Sequence, residues 1–507
     1  MQFRTKARAV DLLGKGQIAD LPTAITELWK NGYDAYADNL GADLFRKGYQ
    51  GLAHNYFILS DDGKGMSASD ILDKWLVLGT DSKSRAELDV ESEETLWKKP
   101  RIKAGEKGIG RLSVAYLGNP MLMLTKKLGY PIQAVYFDWR LLENYNLFLE
   151  DITVPLQTVN DFGSFDNIFR KLKSEFLVNF EKSSDLESNP IWTGKQQDLK
   201  DDIIASVLDS QLEDPILERV KSLLGSDEDH GTLFLIFNPI SQILELSRKD
   251  EDGVEDQKFV LSSLVGFTNP FKEFSSTVNT KFNEYSDQEV ADLLQIRGGF
   301  FSRADFELAD VYIKGEFDGN GSFKGKIRIY DEIIDYDYKN SRKKDKRSYY
   351  GIIPLELGYS QGNERESKLS DTQFSALKKK LEDYGGLYVF RDEFRILPYG
   401  RENADFLNFE GRRSKRAGTH YFSYRRMYGY LDLTRERNPQ LRDKSSREGL
   451  INNAQYRAFT NDAIGFFKAL ALDYFSTNPK HALFKDKKAE QEEQHKALKA
   501  RLEFMMR

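Results

Sequence analysis

The stretch LPTAITELWKNGYDAYAD, residues 21–38, decides how this chain is read. Ile18, Leu21, Ile25 and Leu28 recur at spacings of three and four, which predicts an amphipathic helix with one buried stripe. Beside that stripe Glu27, Asn31 and Asp34 form a second line at helical spacing, and this one is polar. A carboxylate, a carboxamide and a carboxylate on neighbouring turns suit water activation, hard-cation ligation and hydrogen bonding. Taken alone, the line is equally the wet edge of an ordinary half-exposed helix. Motifs further along the chain give it its meaning.

Working outward, NYFILS (residues 55–60) reads as a short buried strand running into Asp61, Asp62, Gly63, Lys64, Gly65 and Met66. An acid at a strand end, with glycines two and four residues on, makes a tight turn of little bulk. A flat ring can then approach the backbone while the carboxylate accepts a hydrogen bond from an exocyclic amine. DDGKG alone is also the wording of a plain turn or a calcium-loop fragment, but the further acids and closing Glu of an EF-hand are missing. Residues 71–78 predict a helix, and the polar run 81–99 has no strong apolar period. KAGEKGIGRLS (residues 103–113) then feeds glycines into an expected apolar helix, VAYLG. Free N–H groups and the helix dipole at such a start attract a phosphate. The GxxxxGK[ST] wording of a Walker A loop is absent, and no strand precedes the glycines as a dinucleotide fingerprint requires.

Three strings therefore occur in one order: E-x-x-x-N-x-x-D-A from Glu27 to Ala35, D-x-G-x-G-M from Asp61 to Met66, and G-x-x-G-x-G from Gly105 to Gly110. A fourth, Gly231 and Thr232 before LFLIF, comes later in the chain. Together they resemble the GHKL (Bergerat-fold) ATPases, the superfamily of gyrase-type topoisomerases, heat-shock chaperones, histidine kinases, MutL-type repair proteins and MORC ATPases. The wording DDGKGM and GEKGIGRLS looks closest to MORC-like and related prokaryotic ATPases. The resemblance implies Glu27 as the general base that orients the attacking water and Asn31 as a ligand of magnesium, with Asp34 in support. It implies Asp61 as acceptor of the adenine amine, with Gly63, Gly65 and Met66 lining the base and Thr232 supporting that contact. Gly105, Lys107, Gly108, Ile109, Gly110 and Arg111 would form the lid over the triphosphate, and Lys83 would be a phosphate or ribose contact. Phosphoryl transfer to water needs positioning and charge neutralisation more than covalent chemistry, which agrees with these residue types.

The expected architecture is α+β. Residues 1–240 would be a GHKL α/β sandwich binding ATP, with an acidic insertion at about 140–229. Residues 241–478 would be an S5-like transducer domain, and 479–507 a charged helix or the start of a coiled coil. In the second part, residues 311–317 and 322–330 flank Gly319, Asn320 and Gly321, a hairpin signal. Residues 371–384 and 452–475 predict helices. DKSSREGL, residues 443–450, is similar to the catalytic-arginine segment of the chaperones, so the resemblance implies Arg447 as an arginine finger, with Lys444 as its rival. RKKDKR from Arg342 to Arg347 and RRSKR from Arg412 to Arg416, the latter followed by YFSYRRMYGY, could hold a nucleic-acid backbone or be solvated loops.

Composition bounds the rest. The 507 residues hold 40% hydrophobic and 30% charged side chains, as expected of globular domains. Zero cysteines exclude disulfides and thiolate metal sites, and the five histidines show no ligand spacing. A net charge of −6 argues against a globally basic nucleic-acid binder but leaves room for a local patch. No apolar run reaches transmembrane length, so a cytoplasmic protein is expected. The expected function is an ATP-gated homodimeric clamp that hydrolyses ATP with magnesium, with a protein partner at the C-terminal helix and a nucleic-acid or defence role. The alternative is a nucleotide-dependent interaction or chaperone module with little turnover. A histidine-kinase-like phosphotransferase is disfavoured, because no phosphoacceptor helix fits before Glu27.

Overall fold

The computed structural model describes residues 4–78, 92–104, 110–184, 189–247, 260–272, 278–287, 289–295, 299–340, 349–416, 418–444 and 449–505. The chain forms two units. The first comprises Met1–Leu264 and Thr277–Arg297, the second Val265–Ser276 and Gly298–Arg507. The architecture is α+β.

The first unit is built on an eight-stranded sheet: β1 (Asn39–Phe45), β2 (Tyr56–Asp61), β3 (Met121–Lys126), β4 (Ile132–Phe137), β5 (Leu156–Val159), β6 (Gly231–Ile236), β7 (Asn279–Tyr285) and β8 (Val290–Asp292). Their order is β5-β4-β3-β6-β2-β1-β7-β8, and only β1 and β7 pair in parallel. Because side chains alternate along a strand, register assigns the faces. Leu40 pairs with Asp61 on one face, while Gly41 pairs with Ser60 and Lys281 on the other.

Short helix α1 (Arg8–Leu13) precedes α2 (Leu21–Asp34). Asp20 caps α2 by accepting the Thr23 N–H at 2.9 Å, and Pro22 occupies the first turn, where a missing N–H costs nothing. Leu21, Ile25 and Leu28 are buried, as their spacing requires. The helix stops four residues short of the quoted stretch. The Ala35 carbonyl accepts the Lys64 N–H at 2.8 Å, and Tyr36 turns left-handed at φ 66°, so the chain can enter β1.

Two local expectations change. Residues 71–78 begin with a π-helical turn, Ile71–Trp75, behind a capping box at Ser67. The segment Gly110–Tyr116 is 3₁₀ rather than α-helical. Only seven residues separate its start from Gly118 at φ 140° and Pro120, which leaves little length for α-helical cooperativity.

The acidic insertion is a helical layer: α3 (Phe165–Leu177), α4 (Lys195–Asp209) and α5 (Asp214–Leu224). It covers the sheet face away from Leu40 and Asp61. Phe169 and Phe176 of α3 pack edge-on against Tyr136 of β4. Tyr56 of β2 donates to Glu213 at 2.7 Å, immediately before α5.

The second unit has seven strands: β9 (Val311–Phe317), β10 (Phe323–Ile329), β11 (Glu332–Tyr338), β12 (Ile353–Tyr359), β13 (Gly386–Arg391), β14 (Phe394–Arg395) and β15 (Met427–Leu433), in the order β11-β10-β9-β12-β15-β13-β14. Period-two alternation feeds two cores. Leu387, Val389 and Leu431 join Phe459 and Phe466 of α8 (Ala454–Leu470), after α7 (Phe409–Lys415). Tyr388, Phe390 and Tyr430 join Phe374 and Leu377 of α6 (Asp371–Tyr384). Gly319 and Gly321, both at positive φ, turn the β9–β10 hairpin. The C-terminal stretch forms α9 (Leu483–Met505).

Candidate functional site

Glu27, Asn31 and Asp34 stand on successive turns of α2. Glu27 is 8% exposed, and Lys30 Nζ lies 3.1 Å from its carboxylate. Asn31 is half-buried one turn further on. Among the described residues no cluster of three or more His, Cys, Asp or Glu could hold a metal by itself. An ion held here would need the oxygens of a phosphate in addition to the Asn31 carboxamide. That donor set, with few protein ligands and phosphate oxygens, suits magnesium.

The end of β2 meets this helix directly. A Cβ added at Gly32 would sit 2.7 Å from Asp61 Cβ, so glycine allows α2 and the Asp61 side chain to touch. Asp61 accepts the Gly63 N–H at 2.9 Å. Burial pushes its carboxyl up to about 7; the N–H groups of Gly63 and Thr232 pull it down and the neighbouring Asp62 pushes it up. The second acid has a different task. Asp62 accepts the backbone N–H groups of Asp38 and Asn39 at 2.7 and 2.8 Å and so fixes the chain leaving α2.

The glycines after Asp61 are required by contact. A Cβ on Gly63 would lie 2.8 Å from both Ala35 and Asp61 Oδ1, and one on Gly65, at φ 64°, would strike the Lys126 carbonyl. The Met66 N–H donates to Thr125 Oγ1 at 2.9 Å, and that hydroxyl lies 2.8 Å from the Thr232 hydroxyl on the neighbouring strand β6. Thr232 pairs with Asp61 in the sheet register. A desolvated carboxylate, a glycine turn against the backbone and two coupled hydroxyls thus lie together at one end of the sheet, beside α2.

Residues 19–167 match the family model described as histidine kinase-, DNA gyrase B-, and HSP90-like ATPase. The first unit carries a GHKL ATPase domain. No curated protein matches the chain. Among solved structures, it is similar to a crystal structure of the N-terminal domain of a DNA repair protein, at 11% identity and a TM-score of 0.41, covering 92% of this chain and 98% of that one.

In this GHKL domain the segment leading to the glycines is tied to the end of α2. Asp34 Oδ1 accepts the Ala104 N–H at 2.6 Å, one residue before Gly105. Arg101 donates to the Ala37 carbonyl at 2.6 Å, pairs with Asp38 at 3.1 Å and lies over the Tyr33 ring. Lys98 adds a 2.7 Å pair to Asp38. Glu94 bridges Lys127 and Lys64, which hold its carboxyl down at about 2 and link residues 93–95 to the glycine turn. Beyond the glycines, Gly110 is buried and Arg111 donates to the carbonyls of Lys74 (2.8 Å) and Val77 (2.5 Å). Burial lowers the Arg111 guanidinium from its ordinary value. Gly105, Lys107, Gly108, Ile109 and Lys83 lie outside the described residues.

Thr125, Lys98 and Arg101 escape a reading of the sequence, because a lone threonine in a strand and single basic residues in a polar run carry no spacing signal. In the second unit, α7 carries Arg412, Arg413 and Lys415, with Arg416 next in the chain. His420 is pushed below its ordinary value by burial, then by the charges of Arg412, Lys468 and Arg416, which marks this surface as electropositive. Lys444 is held at the foot of its loop, its N–H donating to the Gly449 carbonyl at 2.9 Å. Arg447 and the cluster from Arg342 to Arg347 lie outside the described residues.

Proposed function

We propose that this chain is a magnesium-dependent ATPase that works as an ATP-gated homodimeric clamp, MORC-like in kind. The observation that carries the reading is the contact of α2, bearing Glu27 and Asn31, with Asp61 through Gly32. Asp61, in its ionised form, accepts the adenine amine, and Gly63, Gly65 and Met66 let the ring lie against the backbone. Asn31 holds the magnesium ion, whose charge neutralises the phosphates. Glu27 orients water toward the terminal phosphate and accepts its proton. Asp34, through Ala104, and Arg111 position the glycine segment over the phosphates. Arg447 as a finger for the γ-phosphate rests on its Ser-Arg-Glu wording alone.

The electropositive α7 surface supports contact with a nucleic-acid backbone. Among the described residues no helix is long and apolar enough to cross a membrane, and a cytoplasmic setting is part of the proposal. One observation favours the alternative, a nucleotide-dependent interaction module with little turnover. The ion pair between Lys30 and Glu27 competes with water for the carboxylate. Steady-state phosphate release by the wild type and Glu27→Ala separates the two, because a clamp ATPase loses turnover in the variant and a binding module has none to lose. Light scattering with a non-hydrolysable ATP analogue tests the clamp. One mass with and without the analogue would end that part of the reading.

A further inference from the structure

On the face of the first sheet covered by α5, a cleft of about 240 Å³ opens at the end of β2, where Asp61, Asp62 and Thr232 also line it. At ~30 Å³ per water it has room for several waters, or for one small metabolite. Its floor is polar. Gly41, Ser60, Lys281 and Asn283 share this face by register, and Gly41 is what keeps it deep, since a Cβ there would lie 2.7 Å from Ser60 Oγ. Beneath the floor the fully buried Asp43 is neutralised by Arg219 of α5 at 2.7 Å and accepts a hydrogen bond from Asn283 Nδ2 at 2.9 Å. That pair uses up the arginine's charge; the Asp62 carboxylate, which also lines the cleft, is taken up by the N–H groups of Asp38 and Asn39, and the exposed Lys281 is left as the cation. Among the described residues, Lys281 has no ion-pair partner.

The remaining polar groups have a definite chemistry. Asn279 and Asn283 spend their NH₂ groups on Asn39 and Asp43, and among the described residues nothing donates to their carboxamide oxygens. The Ser60 hydroxyl has no hydrogen bond to another described residue. At the cleft end His230 Nδ1 lies 2.8 Å from the Gly63 carbonyl; a carbonyl only accepts, so this nitrogen carries a proton. Acceptors in a row match a run of hydroxyls, and one ammonium matches one phosphate.

We propose that this cleft binds a small sugar phosphate, its phosphate on Lys281 and its hydroxyls on Asn279, Asn283 and Ser60. Asp61 and Thr232 line this cleft as well as the nucleotide site proposed above, but the groups that hold the ligand, Ser60, Asn279, Lys281 and Asn283, stand on the other face of the sheet by register, and binding requires no nucleotide. Isothermal titration calorimetry of the full chain with ribose 5-phosphate tests it, run without nucleotide and again with saturating ADP and magnesium. Binding is expected in both conditions, at least tenfold tighter than for ribose or inorganic phosphate. Lys281→Glu, a change at an exposed side chain, should weaken it at least tenfold, and Ser60→Ala severalfold. Absence of heat in both conditions would overturn the proposal. So would binding that ADP abolishes, or binding that Lys281→Glu leaves unchanged. Failure of ADP to bind would count against the ATPase reading while the nucleotide-free titration still decides this one.

Discussion

Gly32 and Asp61 meet so closely that a single methyl group on the helix would lie 2.7 Å from the Asp61 Cβ. The proposed base of hydrolysis and the proposed adenine acceptor thus stand on two elements joined at this contact. In an ordinary helix Gly→Ala stabilises by roughly 1 kcal/mol. Here overpacking, typically about 1–3 kcal/mol, opposes it. Gly32→Ala is expected to displace Asp61 and to weaken ADP binding about tenfold in calorimetry, with little or no gain in denaturant stability. A variant that is both more stable and binds normally would show that the contact is slack.

The carboxyl of Asp61, raised to about 7, predicts a pH dependence. Accepting the adenine amine requires the ionised form, so affinity is full above 7 and is lost as pH falls through it. At pH 6 it should be about tenfold below its plateau, since each pH unit below the pKa costs a factor of ten. Adenosine, which has no phosphate to titrate, is the appropriate probe, followed by NMR titration. In the free protein the sign is opposite. The native state holds a proton that the unfolded chain, with an Asp pKa of about 3.9, has released, so this group removes stability as pH rises from about 4 to 7. Asp61→Asn should flatten both profiles.

The bond from Ala104 to Asp34 predicts a local effect. Asp34→Ala removes the acceptor of the Ala104 N–H, so hydrogen exchange at that amide should accelerate while amides in β2 and β6 keep their protection. Turnover should drop further than ADP affinity, because the adenine contacts lie elsewhere. Unchanged exchange at Ala104 would remove Asp34 from the positioning role.

What the sequence made legible is what is local. The three- and four-residue spacing placed Glu27, Asn31 and Asp34 on one helix, and the acid-glycine string marked the turn after β2. The hairpin at Gly319 and Gly321 was readable for the same reason. What stayed hidden depends on partners distant in the chain. Thr125 supports Met66 from 59 positions away, and Arg101 reaches back to Ala37 across 64. The stretch at about 140–229 is legible as an insertion, but nothing local says that Tyr56 and Tyr136 await its helices on one face of a sheet. The early stop of α2 comes from Lys64 taking the Ala35 carbonyl, again a contact between turns rather than a property of either.

Glu27 separates turnover from binding most sharply. It is buried, and its ion pair with Lys30 holds it in place at the edge of α2. Glu27→Gln keeps the shape of the side chain and removes its capacity to take a proton. Hydrolysis should fall by about 10²–10⁴, the range general acid–base groups contribute. ADP affinity should stay within about twofold, because no adenine contact is touched. Lys30→Ala provides the internal comparison. It leaves the carboxylate and removes its ion pair, so turnover should change severalfold rather than by orders of magnitude, rising if the pair mainly competes with water and falling if it mainly positions the base. The double variant should be no slower than Glu27→Gln alone, since the pair has nothing to act on once the base is gone. Single-turnover phosphate release with saturating ATP measures all three. Wild-type rates in Glu27→Gln would move the base to another residue and leave the Asp61 turn as it is.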